Sequence, residues 1–149
     1  MVMAWYAPAG MYLLAGWLYA YVIQEGSMPL IKRFEDILAW QEARLLTRQI
    51  YRLSAVDPFA RDFALRDQIR RAAVSAMTNI AEGFDCDSRR EFARFLGIAR
   101  RSAVEVQSLL YVAFDVQYIS EDVFMLYYAQ AAKTKGLIGA LKHSLSDRT

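Results

Sequence analysis

The chain has a single cysteine, Cys86, and a single histidine, His143. One cysteine excludes an internal disulfide and fits a reducing compartment. One histidine excludes a di-iron bundle site, which needs two Glu-x-x-His pairs; Ala140 stands three residues before His143. Zinc ligand spacing is absent, and so is a placed base for a Ser-His-Asp or Cys-His set. Gly83 and Gly97 stand alone instead of building a phosphate-cradling loop. With 7 glycines, 3 prolines and no low-complexity tract, disorder is confined to the ends. Net charge is also scarce, +2, which does not argue for nucleic acid by itself. The acidic group Glu82, Asp85, Asp87 and Glu91 reads as a helix exit, a solvated loop and a capping box, not a magnesium site. These absences describe a non-enzymatic protein without metal or cofactor.

What the chain does have begins with an apolar, aromatic start. Val2 to Ile23 carries no charge and holds Trp5, Tyr6, Tyr12, Trp17, Tyr19 and Tyr21. A stretch of this length crosses a bilayer as a helix, and Lys32 and Arg33 after it would keep the remainder cytoplasmic. No positive charge precedes it, so it is a poor signal peptide. Met28 opens MPLIKRFEDILAW, which reads as a natural start of a helical domain. Residues 1–27 are therefore an extension from an early start, an inner-membrane anchor or a docking helix. Residues 28–149 are the domain, expected in the cytoplasm.

From Phe34 onward apolar residues alternate at +4 and +3. Ala39, Ala43, Leu46, Ile50 and Leu53 form the first seam, which ends near Ser54 because Asp57-Pro58 disfavours helix. A second helix runs from Asp62, a plausible N-cap, to Glu82, with Gly83 suited to the left-handed position just past its end. Ser88 and Glu91 make a capping box for a third helix, whose seam runs from Phe92 through Leu96, Ala99, Ala103, Val106 and Leu110 to Ala113. That helix should stop around Val116. Ser120, Glu121 and Asp122 open the fourth, with Tyr127, Ala131, Thr134, Ile138 and Leu141 on its seam. No strand pattern competes. Short links make consecutive helices antiparallel, so the fold class is all-α, an up-down-up-down four-helix bundle.

Two polar features remain once the seams are assigned. On the second helix Arg71, Ser75, Asn79 and Glu82 share one narrow stripe. Serine and asparagine lower helix propensity in mid-helix, so hydrogen bonding between helices or subunits, or local capping by Asn79, must justify them. On the third helix Arg90, Arg94, Gly97, Arg101 and Glu105 share a stripe nearly opposite the seam, with Arg89 and Arg100 beside it. Arg66, Arg70 and Arg71 add to it from the second. A solvated face paired with neighbouring carboxylates is the plain reading. A surface for phosphates is the functional one, because a planar guanidinium suits phosphate and stays charged. Phe92 and Phe95 belong to the core side, which favours backbone electrostatics over base stacking.

FEDILAWQEARLLTRQIY (34–51), QIRRAAVSAMTNIAEG (68–83) and SRREFARFLGIARRSAVEVQSLL (88–110) resemble the 23S rRNA intervening-sequence protein family. The resemblance spans residues 32 to 143 or so, and NIAEG followed by EF-x-x-FL-x-IA is its most specific part. It implies a helical bundle, a homopentameric ring, and a relation to accessory proteins of diversity-generating retroelements. Those bind a reverse transcriptase and nucleic acid. Arg71, Ser75, Asn79, Glu82 and Gly83 fall on the family's signature helix, and Ser102 and Glu105 on the next. Arg100-Arg101 departs from the small or glycine-containing pair of relatives, as does the apolar extension. The expectation is a scaffold binding RNA or DNA through Arg66, Arg70, Arg89, Arg90, Arg94, Arg100 and Arg101. A protein–protein accessory subunit and a membrane-tethered bundle are the competing expectations.

Overall fold

The computed structural model describes residues 31–146, so residues 2–23 and the expectations placed on them lie outside it. Four helices carry the fold: α1 (Leu38–Leu53), α2 (Phe63–Phe84), α3 (Arg89–Asp115) and α4 (Glu121–Ser146). No strand occurs among the described residues. Helix α1 packs on α2 and α4, and α3 packs on α2 and α4, so each helix lies between antiparallel neighbours in a four-helix bundle. No helix among the described residues is long and apolar enough to cross a membrane.

The seams do what their spacing demands. Two core layers form. Near the α1–α2 and α3–α4 links the filling is bulky: Leu46, Ile50, Phe59, Ile69, Leu110 and Phe124. Toward the α2–α3 link it is dominated by alanine, with Ala39, Ala43, Ala76, Ala99 and Ala103 beside Ile80, Leu96 and Ile138. Small seam residues let helices approach closely, because contact distance is set by the side chains between them.

The caps follow elementary donor satisfaction. The Leu65 amide donates to Asp62 Oδ1 at 3.0 Å, the Glu91 amide to Ser88 Oγ at 3.2 Å, and the Val123 amide to Ser120 Oγ at 3.4 Å. The start of the first helix differs from the sequence reading. Phe34–Asp36 is a single 3₁₀ turn, and Ile37 is extended before α1 begins. Ile37, at this break, is buried in the alanine layer.

Gly83 also departs from expectation. It is not a left-handed residue past the helix end but lies inside α2, which runs one residue further and is capped by Asp85 at φ −81°. Its purpose is close approach. A Cβ at this position would sit 2.7 Å from Phe92 Cδ2 and 2.7 Å from Phe95 Cβ on α3. The left-handed cap is at Gln117 instead, with φ 63°. The Gln117 amide donates to the Phe114 carbonyl and the Tyr118 amide to the Ala113 carbonyl, each at 2.9 Å, which is a Schellman ending to α3. A left-handed residue with a Cβ is strained by about 1 kcal/mol or more. Gln117→Gly is therefore expected to raise stability by roughly 0.5–1 kcal/mol, read as a higher urea midpoint at unchanged slope.

Glu42 ties α1 to α4. It accepts from Gln130 Nε2 at 2.7 Å and from Lys133 Nζ at 2.8 Å. Burial pushes this carboxyl up, but the two hydrogen bonds and the ammonium charge outweigh that and hold it below the ordinary glutamate range. A depressed folded-state value means the clamp's contribution is complete above the unfolded value of about 4.3. It is lost as pH falls through the lower folded value. Glu42→Gln is expected to cost about 1 kcal/mol at pH 7 and almost nothing at low pH, where wild type and variant melting curves should coincide.

Candidate nucleic-acid interface

The outer face of α3 is cationic in its N-terminal half. Arg89, Arg90, Arg94, Arg100 and Arg101 are all exposed. None of the five is in an ion pair among the described residues, where the four pairs are Arg33–Glu35, Arg61–Asp57, Arg66–Asp67 and Lys133–Glu42. The acidic residues Asp85, Asp87 and Glu91 occupy the same end of the bundle without reaching ion-pair distance of these guanidinium groups. Among the described residues no three His, Cys, Asp or Glu side chains gather where they could hold a metal ion. Cys86 donates its thiol to the Glu82 carbonyl at 3.4 Å, and burial, helped by the Glu91 charge, pushes that thiol up, away from a reactive thiolate.

Two glycines shape this face. A Cβ at Gly97 would meet Lys142 Nζ at 3.4 Å and Arg101 Nη1 at 3.8 Å; one at Gly139 would meet Arg100 Nε at 3.6 Å. The absent side chains leave troughs in which long cationic chains lie across the α3–α4 border. Lys142, not singled out from sequence, thereby joins Arg100 and Arg101. The available signal was a glycine isolated inside a strong helical pattern.

Arg66 and Arg70 are held by hydrogen bonds within the protomer, whereas of the five α3 arginines only Arg94 has a ring partner among the described residues, lying over Phe95 at 5.1 Å. Arg66 binds Asp67 Oδ1 at 2.8 Å and the Ala60 carbonyl at 3.1 Å, and lies over the Phe63 ring at 4.7 Å. That guanidinium holds the Asp67 carboxyl below the usual range. Arg70 donates to Ser54 Oγ at 2.7 Å and stacks on Tyr51 at 4.8 Å. Both bind within the protomer along the α1–α2 border, away from the α3 stripe.

The Arg71–Ser75–Asn79 row is used between α2 and α3 of one protomer. Asn79 Nδ2 donates to Ser75 Oγ at 3.1 Å, and Ser75 Oγ meets Ser102 Oγ at 2.9 Å. Ser102 donates to the Ile98 carbonyl at 3.1 Å, so the donors Asn79, Ser75 and Ser102 form a chain that ends on the Ile98 carbonyl as acceptor. One turn further, Arg71 donates to Gln68 Oε1 at 2.7 Å, and Gln68 Nε2 donates to Glu105 Oε1. Gln68 was not picked out from sequence. Glu82 is exposed at the end of α2 and takes no part in these bonds. A polar seam of this kind favours one α2–α3 register, because a slip would break the Ser75–Ser102 and Gln68–Glu105 bonds between the helices.

Apolar exposure gathers at the other end. Tyr111, Val112 and Val116 on and after α3, with Met125 and Leu126 on α4, are exposed, Leu126 to 64%. The bundle is thus cationic on one stretch of its surface and apolar on another.

These features define a small helical-bundle protein with a guanidinium face that has no ion pair among the described residues and a polar seam between α2 and α3. Residues 35–140 match the model of the 23S rRNA-intervening sequence protein, and the chain belongs to that family. A crystal structure titled as a protein with unknown function from the S23 ribosomal protein family of Bacteroides thetaiotaomicron has the same fold. Its TM-score is 0.65 at 20% identity, over 70% of this chain and 98% of that one. No curated protein matches the chain.

Proposed function

We propose that this protein is a non-enzymatic, cytoplasmic scaffold that binds RNA or a ribonucleoprotein through the outer face of α3. The observation that carries this reading is the set of five exposed arginines, Arg89, Arg90, Arg94, Arg100 and Arg101, with no ion pair among the described residues. Exposed guanidinium groups left unpaired cost little in water, yet gain counterion-release free energy on a phosphate backbone. Membership of a family named for intervening sequences of 23S rRNA supports the same partner class. Filter binding of structured RNA over a salt series tests it. Log affinity should fall linearly with log salt, and binding that ignores salt would end the proposal.

The exposed apolar stretch around Tyr111, Val112 and Leu126 favours a second, compatible reading, self-assembly of copies or docking on a polymerase. A homopentamer, and service to a reverse transcriptase of a diversity-generating retroelement, are what the family resemblance suggests for it. Light scattering of the purified protein gives the mass of the assembly directly, and a monomer at micromolar concentration would remove self-assembly.

A further inference from the structure

Three guanidinium–ring pairs line the α1–α2 border: Arg44 over Trp40 at 5.7 Å, Arg70 over Tyr51 at 4.8 Å, and Arg66 over Phe63 at 4.7 Å. Beside the middle pair is an open depression of about 610 Å³, lined by Tyr51, Arg70, Arg71, Val74 and Thr78 among others. Arg44 and Arg48 stand seven and three residues before Tyr51, hence on its side of α1. Both are exposed and in no ion pair among the described residues. Asp67, the acid of this depression, is already neutralised by Arg66.

Tyr51 is held as a platform. Arg70 is pinned by Ser54 Oγ at 2.7 Å and by the Tyr51 carbonyl at 3.5 Å, which fixes the cation against one face of the ring. Ser54 is itself fully buried and anchored on the Ile50 carbonyl at 2.7 Å. The Tyr51 residue remains 44% exposed and lines the depression together with Val74 and Thr78. A rigid aromatic face with arginines on either side is the arrangement that takes an unpaired base by stacking while cations follow the backbone. Trp40 to Tyr51 is 11 residues of helix, roughly 16 Å, long enough for several stacked nucleotides. A duplex keeps its base faces inside the stack and cannot use the ring.

We infer that the α1–α2 groove binds a single-stranded stretch of RNA or DNA, with one base on the open face of Tyr51 and phosphates on Arg44, Arg48 and Arg71. This rests on the nucleic-acid reading of the α3 face and adds a second contact with a different preference.

Fluorescence anisotropy with a labelled single-stranded 12-mer and a labelled blunt-ended duplex of the same sequence, on the full chain, tests it. Tyr51→Ala should weaken single-strand binding about tenfold, leave duplex binding within about twofold, and keep the salt slope. Tyr51→Trp should restore it. Arg44→Glu with Arg48→Glu should lower the single-strand salt slope by about 1.4, the share of two phosphates. Unchanged single-strand affinity in both variants, with wild type still binding, overturns the groove and leaves the α3 face standing. Unchanged affinity with a shifted assembly mass in the double variant assigns the groove to a subunit contact and also overturns it. Wild type that binds neither probe at low salt sinks both readings together.

Discussion

Gly83→Ala is expected to lower stability by about 1–3 kcal/mol, a fall in Tm on the order of 5–10 °C. Helix propensity points the other way, since alanine is favoured over glycine inside a helix by about 1 kcal/mol. Packing decides the sign. The added methyl would meet Phe92 Cδ2 and Phe95 Cβ, both at 2.7 Å. The Phe92 ring can rotate aside, but Phe95 Cβ is fixed to the α3 backbone, so α2 and α3 must separate. Separation stretches the Ser75–Ser102 bond at 2.9 Å and opens the alanine layer. Gly83→Val should cost more than Gly83→Ala. A thermal melt of Gly83→Ala at or above the wild-type Tm would show that this glycine does not set the spacing.

Arg90→Glu, Arg94→Glu and Arg101→Glu together are expected to weaken binding to structured RNA at least a hundredfold near physiological salt. Removing three phosphate contacts should lower the slope of log affinity against log salt by roughly 2–3, and repulsion from the new carboxylates adds to the loss. Stability should change little, because all three side chains are exposed and in no ion pair among the described residues, and only Arg94 has a ring contact, over Phe95 at 5.1 Å. Helicity and melting temperature therefore serve as the control. Wild-type affinity in a folded triple variant would remove α3 from the interface. A collapsed circular dichroism signal would show instead that these arginines hold the bundle together.

The heptad seams were readable because apolar side chains at +3 and +4 have one way to be buried at once. Asp62, Ser88 and Ser120 were readable as caps because a short oxygen acceptor before an apolar run has a specific backbone donor to satisfy. Gly83 was readable as special but not as to why, since a missing Cβ serves a left-handed turn and a tight crossing equally. The true left-handed position, Gln117, carries no residue-type signal at all. The arginines divided for a related reason. Arg66 and Arg70 bind acceptors on the α1–α2 link and the end of α1, the Ala60 carbonyl and Ser54 Oγ, which helix periodicity cannot locate. Their aromatic partners Phe63 and Tyr51 were hidden likewise, and with them the groove that Arg44 and Arg48 border.

The segregation of cations and exposed apolar groups along the bundle has a consequence for avidity. Copies that met through Tyr111, Val112 and Leu126 would hold their Arg90–Arg101 faces away from the junction, each still open to the same polymer. One strand could then wind from copy to copy, every later contact being made at the high local concentration set by the first. Weak single faces would add up to tight binding, and a modest rise in salt would release the whole strand at once.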